Sequence, residues 1–143
     1  MCGIVGLYAK TDKTREQLGT HVAAMLEEMG ERGPDSAGVA FYDDSSFDAG
    51  NNQVASKVTV QSDNPDELTA VENAVNEAFN VFTKKRGTHL VIESAERPID
   101  MEQWVRSRFP SLRIMSAGTR IEIYKEKGHP TEFVENYLSL IHI

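Results

Sequence analysis

Cys2-Gly3-Ile4-Val5-Gly6-Leu7-Tyr8 follows directly on Met1, and the reading of this stretch decides the fold. It is short, apolar, β-branched and aromatic, which predicts a strand. Its first residue is the one cysteine in 143 residues. A single thiol excludes an intramolecular disulfide and a cysteine-cluster metal site. Two readings of Cys2 stand. In one it is a small buried hydrophobe at the start of the strand. In the other, Met1 is removed because the next residue is small, and Cys2 becomes the N-terminus. The freed α-amine then has a pKa near ~8, well below that of a lysine. Such an amine can take the proton of a neighbouring nucleophile, so one residue supplies both nucleophile and base. Gly3 beside it lets a substrate approach the backbone closely.

Outward from this stretch, residues 10–13 form a polar turn and Thr14 caps a helix over 15–29. Leu18, Val22, Met25, Leu26 and Met29 place one apolar stripe on it at helical period. Gly30 and Gly33-Pro34 end that helix. Residues 37–42 predict a second strand, and the Asp-, Ser-, Gly- and Asn-rich residues 43–52 a loop. A strand follows over 54–60. Asn64-Pro65-Asp66-Glu67 then opens a helix with a cap, a proline at the first turn and an acid three residues on. Leu68, Val71, Val75, Phe79 and Phe82 carry this helix to residue 84. Lys84-Lys85-Arg86 stands at its C-terminus, where the helix dipole favours cations. Residues 88–93 predict a strand. Asp100 caps a helix bearing Met101, Trp104, Val105 and Phe109 and closed by Pro110. Residues 112–116 and 120–124 predict two strands joined in a hairpin at 117–119. Gly128-His129-Pro130-Thr131 opens a last helix with Phe133, Val134 and Tyr137.

The composition sets the outer limits. Apolar residues make up 40% and charged residues 26%, which suits a domain with a core and excludes a disordered tail. With 22 acidic against 15 basic residues the net charge is −7, which argues against nucleic acid or an anionic membrane as a partner. No apolar run reaches the ~20 residues of a membrane span, and no signal segment is present, so the expected localisation is cytoplasmic. His21, His89, His129 and His142 lack metal-ligand spacing with one another or with Cys2, so no metal and no cofactor is expected.

A second motif, Arg32-Gly33-Pro34-Asp35-Ser36-Ala37-Gly38-Val39-Ala40, follows the first helix. Together with the opening stretch it resembles the start of a class II glutamine amidotransferase domain, an N-terminal nucleophile hydrolase. The resemblance covers residues 1–42. It implies that Cys2 attacks the side-chain amide of glutamine, that a thioester forms and ammonia leaves, and that water releases glutamate. The implied partners are glutamine as substrate and a synthase subunit that accepts the ammonia. Gly3, Arg32, Gly33, Asp35 and Ser36 are the supporting site residues. The alternative for three of them is plain: Asp35 and Ser36 turn the chain, and Arg32 pairs with a surface carboxylate. The layout is similar to the amidotransferase subunits of glutamate synthase-like and N-methylglutamate synthase-like systems. Asparagine synthetases share Arg-Gly-Pro-Asp but resemble a shorter layout.

Two parts of that family's site are not found. One is an Arg-containing strand for the glutamine carboxylate, and Arg86-Gly87-Thr88-His89 has its residue types in the wrong order. The other is an Asn-Gly pair for the oxyanion hole, whereas Asn51-Asn52 and Asn73 lack a following glycine. The tail, residues 138–143, resembles a translated transposase-adapter sequence, so a cloning or assembly scar is expected there and the natural frame is expected to stop near Tyr137. The expected fold is therefore α+β. Residues 1–52 begin a four-layer αββα N-terminal nucleophile hydrolase fold, 53–127 form an inserted α/β module, and 128–137 a helix leading back. The chain is expected to be a truncated domain, inactive as it stands. Two other functions remain open: a non-catalytic regulatory or interaction module binding a partner subunit, and a hydrolase of the same fold acting on another amide.

Overall fold

The computed structural model describes residues 2–42 and 54–138, Leu138 by its backbone alone. In chain order the elements are α1 (Asp12–Glu16), α2 (Leu18–Glu28), a 3-10 turn (Gly30–Arg32), β1 (Ser36–Tyr42), β2 (Ser56–Gln61), α3 (Pro65–Ala78), β3 (Val81–Arg86), β4 (His89–Ser94), α4 (Pro98–Arg108), β5 (Arg113–Gly118), β6 (Ile121–Lys127), α5 (Pro130–Phe133) and a π turn (Val134–Leu138). They gather into two compact units. One is residues 39–124, and the other joins the residues up to 38 with those from 125 onward. The loop expected over 43–52 and the tail beyond Leu138 lie outside the described residues.

In the unit of residues 39–124, the strands lie in the order β3-β4-β2-β5, with every neighbouring pair antiparallel. β2 and β3 thus run parallel with β4 between them, and β4 and β5 run parallel with β2 between them. This is the split βαβ arrangement, used twice. Leu68, Val71 and Val75 of α3 and Met101 and Val105 of α4 pack with Val58, Val60, Leu90 and Ile92 in one apolar core. Both helices therefore cover the same sheet face, because residues i and i+2 of a strand share a face. Phe79 and Trp104 meet edge to face at 5.2 Å beside that core.

The opposite face of the sheet is polar and equally buried. Lys57, Thr59 and Gln61 of β2 and His89 and Glu93 of β4 are all within a few per cent of full burial. β6 contributes Glu122 and Tyr124 to this side: the Lys57 ammonium lies 3.1 Å from Glu122 and 3.4 Å from Glu93. The Tyr124 hydroxyl donates to Glu122 at 2.7 Å, and the Tyr124 ring meets His89 at 5.3 Å and Phe41 at 6.4 Å.

In the other unit, Thr11 caps α1 through its side chain, which accepts the Thr14 N–H at 3.2 Å. Phe133 and Tyr137 are buried and stacked at 4.8 Å, and the Tyr137 hydroxyl donates to Glu126 at 2.6 Å. Gly128, at φ +113°, donates its N–H to the Asp35 carbonyl at 2.8 Å. β1 pairs with β6 in a two-stranded sheet.

Six local expectations are corrected. Residues 2–10 form no strand: Ile4 is 95% and Tyr8 84% exposed. Their β-prone side chains find no neighbouring strand among the described residues, and an unpaired strand has no ladder to hold it. The single helix over 15–29 is two helices, broken where Gln17 leaves helical geometry at ψ 11°. Its cap is Thr11 rather than Thr14. The helix carried to residue 84 ends at Ala78, with Phe79 extended at φ −139°, ψ 160°. The β-branched and aromatic run behind it forms β3, paired to β4. Asp100 does not cap α4, which starts at Pro98 behind Arg97. Instead it takes a bidentate pair from Arg97 at 2.6 and 3.0 Å, and that hydrogen bonding holds its carboxyl below the ordinary range. Finally, β5 and β6 are consecutive but lie in different sheets, so the hairpin at 117–119 does not form.

Candidate active site

Cys2 carries a free, exposed thiol and lines a cavity of about 330 Å³. That volume lies at the small end of the range for small-molecule sites. Three elements build its walls. The C-terminal end of α2 brings Leu26 and Met29. The turn into β1 brings Arg32, Gly33, Pro34 and Asp35, and β1 itself brings Ser36, Ala37 and Gly38. Pro130 at the start of α5 completes the lining. Cys2, Gly3, Arg32, Gly33, Asp35 and Ser36, the six site residues expected from sequence, all border this one groove.

The turn is set by the backbone. The Arg32 N–H donates to the Met29 carbonyl at 3.0 Å, which closes the 3-10 turn, and Asp35 accepts from Gly128 across the loop. Asp35 thus holds the turn through its carbonyl, with its side chain exposed. Arg32 is exposed as well. Among the described residues no carboxylate pairs with it, so its guanidinium is available to an anion at the groove. Gly3 has a different role from the one its type suggests. A Cβ at residue 3 would meet the Met29 ε-methyl at 2.0 Å and the Arg32 Cβ at 3.7 Å. The close approach that glycine permits here is by a protein side chain.

Other polar residues weighed from sequence lie elsewhere. Arg86 and His89 sit on β3 and β4, where His89 is buried against Tyr124. Asn73 is on α3, and Asn51-Asn52 lie outside the described residues. Among the described residues no asparagine lines the groove. His129 caps α5, its Nδ1 accepting the Thr131 N–H at 3.2 Å. Among the described residues no group of three or more His, Cys, Asp or Glu could hold a metal ion, and no helix is long and apolar enough to cross a membrane. Leu26, Met29 and Pro130 were not legible as site residues. The first two read as the stripe of a helix and the third as a helix start, and their approach to Cys2 is tertiary.

No family model matches the chain, and no solved structure matches it at a significant level. The chain is 37% identical over 140 residues to the glutamine amidotransferase-like protein GlxB of Rhizobium meliloti (strain 1021). The match takes in 96% of this chain and 44% of that protein, so the chain spans less than half the length of its curated relative.

Proposed function

We propose that this chain carries the nucleophile end of a class II glutamine amidotransferase with an N-terminal nucleophile hydrolase fold. The observation that carries the reading is the gathering of Cys2 and both sequence motifs around one groove, in a chain whose relative is named for glutamine amidotransfer. With Met1 removed, the Cys2 α-amine takes the thiol proton and Sγ attacks the glutamine side-chain carbonyl carbon. The C–N bond breaks, the proton passes to the leaving nitrogen, and ammonia departs from a thioester. Water then cleaves the thioester, giving glutamate and the free thiol. Arg32 offers a cation to the substrate at the mouth of the groove. The ammonia goes to a synthase partner, in a cytoplasmic setting.

The test has two steps. Intact mass reads whether Met1 is removed; retention would block the amine-base mechanism. A diazoketone analogue of glutamine is then expected to label the chain once, at Cys2, and to leave Cys2→Ala unlabelled. A second reading, a non-catalytic interaction module, draws on the exposed Ile4 and Tyr8. It is favoured if the wild-type chain resists the analogue yet binds a partner subunit. Glutaminase activity compared with activity on other side-chain amides separates the amidotransferase from a related hydrolase.

A further inference from the structure

We propose that the polar face of the four-stranded sheet binds an internal water molecule, held between the Thr59 hydroxyl and the Gln61 side-chain carbonyl. The site is independent of Cys2 and its groove.

Two buried side-chain oxygens on this face, Thr59 Oγ1 and Gln61 Oε1, have no hydrogen-bond partner among the described residues. Thr59 is fully buried and Gln61 is 3% exposed. A polar atom taken out of bulk water without a replacement partner is costly, so such atoms are rare in folded chains. The two oxygens belong together. Residues 59 and 61 stand two apart on β2, so their side chains leave the same face of the sheet. Their α-carbons are then about 6.6 Å apart. A water donating to both oxygens spans about 5.6 Å, two bonds of ~2.8 Å.

The orientation of the Gln61 amide is fixed. Its Nε2 donates to Asp63 at 2.9 Å and to Thr88 at 3.2 Å. Turning the amide over would set its oxygen against the Asp63 carboxylate. The end without a partner is therefore an acceptor, and it needs a donor. Opposite Thr59, β4 places Val91, which has no polar side chain, and β5 places Ser116. The Ser116 hydroxyl lies 3.5 Å from the Ile121 carbonyl, at the limit of a hydrogen bond. Ser116 is 8% exposed and supplies a third partner, which is what an internal water ordinarily has. The chemistry of the ligand follows from these groups. It is small, because both residues are sealed from solvent. It donates, because Gln61 offers an acceptor. It is neutral, because an anion would meet the Gln61 oxygen and a cation would meet Lys57, the buried cation two residues before Thr59 on the same face.

The experiment reads the full chain in two ways. Thr59→Val keeps the shape of the side chain and removes the hydroxyl, and the sign of its effect is decisive. With a water bound, the variant strands that water and Gln61, and the urea midpoint is expected to fall by roughly 0.5 M. With Oγ1 dry, the variant removes a buried unpaired atom and the midpoint rises. Magnetic relaxation dispersion of the water oxygen counts long-lived internal waters directly. Thr59→Val and Gln61→Met are each expected to hold one fewer than wild type, and the double variant to lose the same single water. Thr59→Ser keeps the hydroxyl and is expected to keep the wild-type count. A raised midpoint in Thr59→Val, or a count unchanged by it, would overturn the proposal. Two waters lost in the double variant would overturn the bridge and leave two separate sites.

Discussion

Lys57 places a full positive charge where no part of its side chain reaches water. Such a charge is tolerated only when partners replace its hydration, and here the partners are themselves held. Glu93 also takes Lys84 at 3.2 Å, and Glu122 takes the Tyr124 hydroxyl. Lys57→Met keeps the volume and removes the cation, which leaves the Glu122 charge facing no ammonium. Breaking a buried pair in this way is expected to cost about 3–5 kcal/mol, read as a lower urea midpoint at unchanged slope. A loss of only about 1 kcal/mol, the worth of an exposed pair, would show that water reaches the cluster. Tyr124 tests the same seam from the alkaline side. Burial first, then the Glu122 charge and hydrogen bond, push its phenol well above the ordinary range, against a smaller pull from Arg86. The folded chain therefore keeps a proton that the unfolded chain would release. This contribution to stability is complete below the ordinary tyrosine pKa of about 10 and is lost as pH rises beyond it. In an alkaline titration one phenolate should appear only as the fold is lost, and Tyr124→Phe should remove that late step. Ionisation of every tyrosine in a still-folded chain would contradict it.

The helix α3 shows what local chemistry decides and what it does not. Asn64 accepts the Asp66 N–H at 3.0 Å, with Pro65 in the first turn. Asn64→Ala should cost about 1 kcal/mol and Asn64→Gly only a few tenths, measured by chemical denaturation. An equal loss in both variants would place the stabilisation elsewhere than in the cap. That start is legible in sequence because cap, proline and first-turn acid all act within four residues. The end is not. Phe79 and Phe82 continue a helical spacing, and only pairing with β4 makes residues 81–86 a strand. The same holds for Gly118. The turn it marks is local, but which sheet the next strand enters depends on what β6 covers. The opening segment is the reverse case: its composition suits a strand, and the described chain supplies no edge for it. Side-chain periodicity thus reports which face is buried, and strand identity waits on the neighbour.

Over the whole molecule, the two site motifs were legible because each is contiguous in sequence. Met29 and Pro130 reach the groove from a helix end and a distant helix start, which spacing does not encode. The same contrast divides the molecule in stability. Every residue of β2 and β4 is buried, whereas α2 has an apolar stripe and not one fully buried residue. Local opening free energy follows buried apolar contact. Amides of β2 and β4 should therefore exchange with solvent only through global unfolding, with a denaturant dependence equal to that of the equilibrium transition. Amides of α2 should exchange through a smaller opening, at lower free energy and with a shallower dependence. Because α2 supplies Met29 and leads into the Arg32 turn, the groove would then sit on the part of the chain that opens first. Hydrogen exchange read at amide resolution across a urea series checks this ordering. A single free energy and slope shared by α2, β2 and β4 would mean that the chain opens as one unit, and would remove the mobile wall from any account of how the groove admits its substrate.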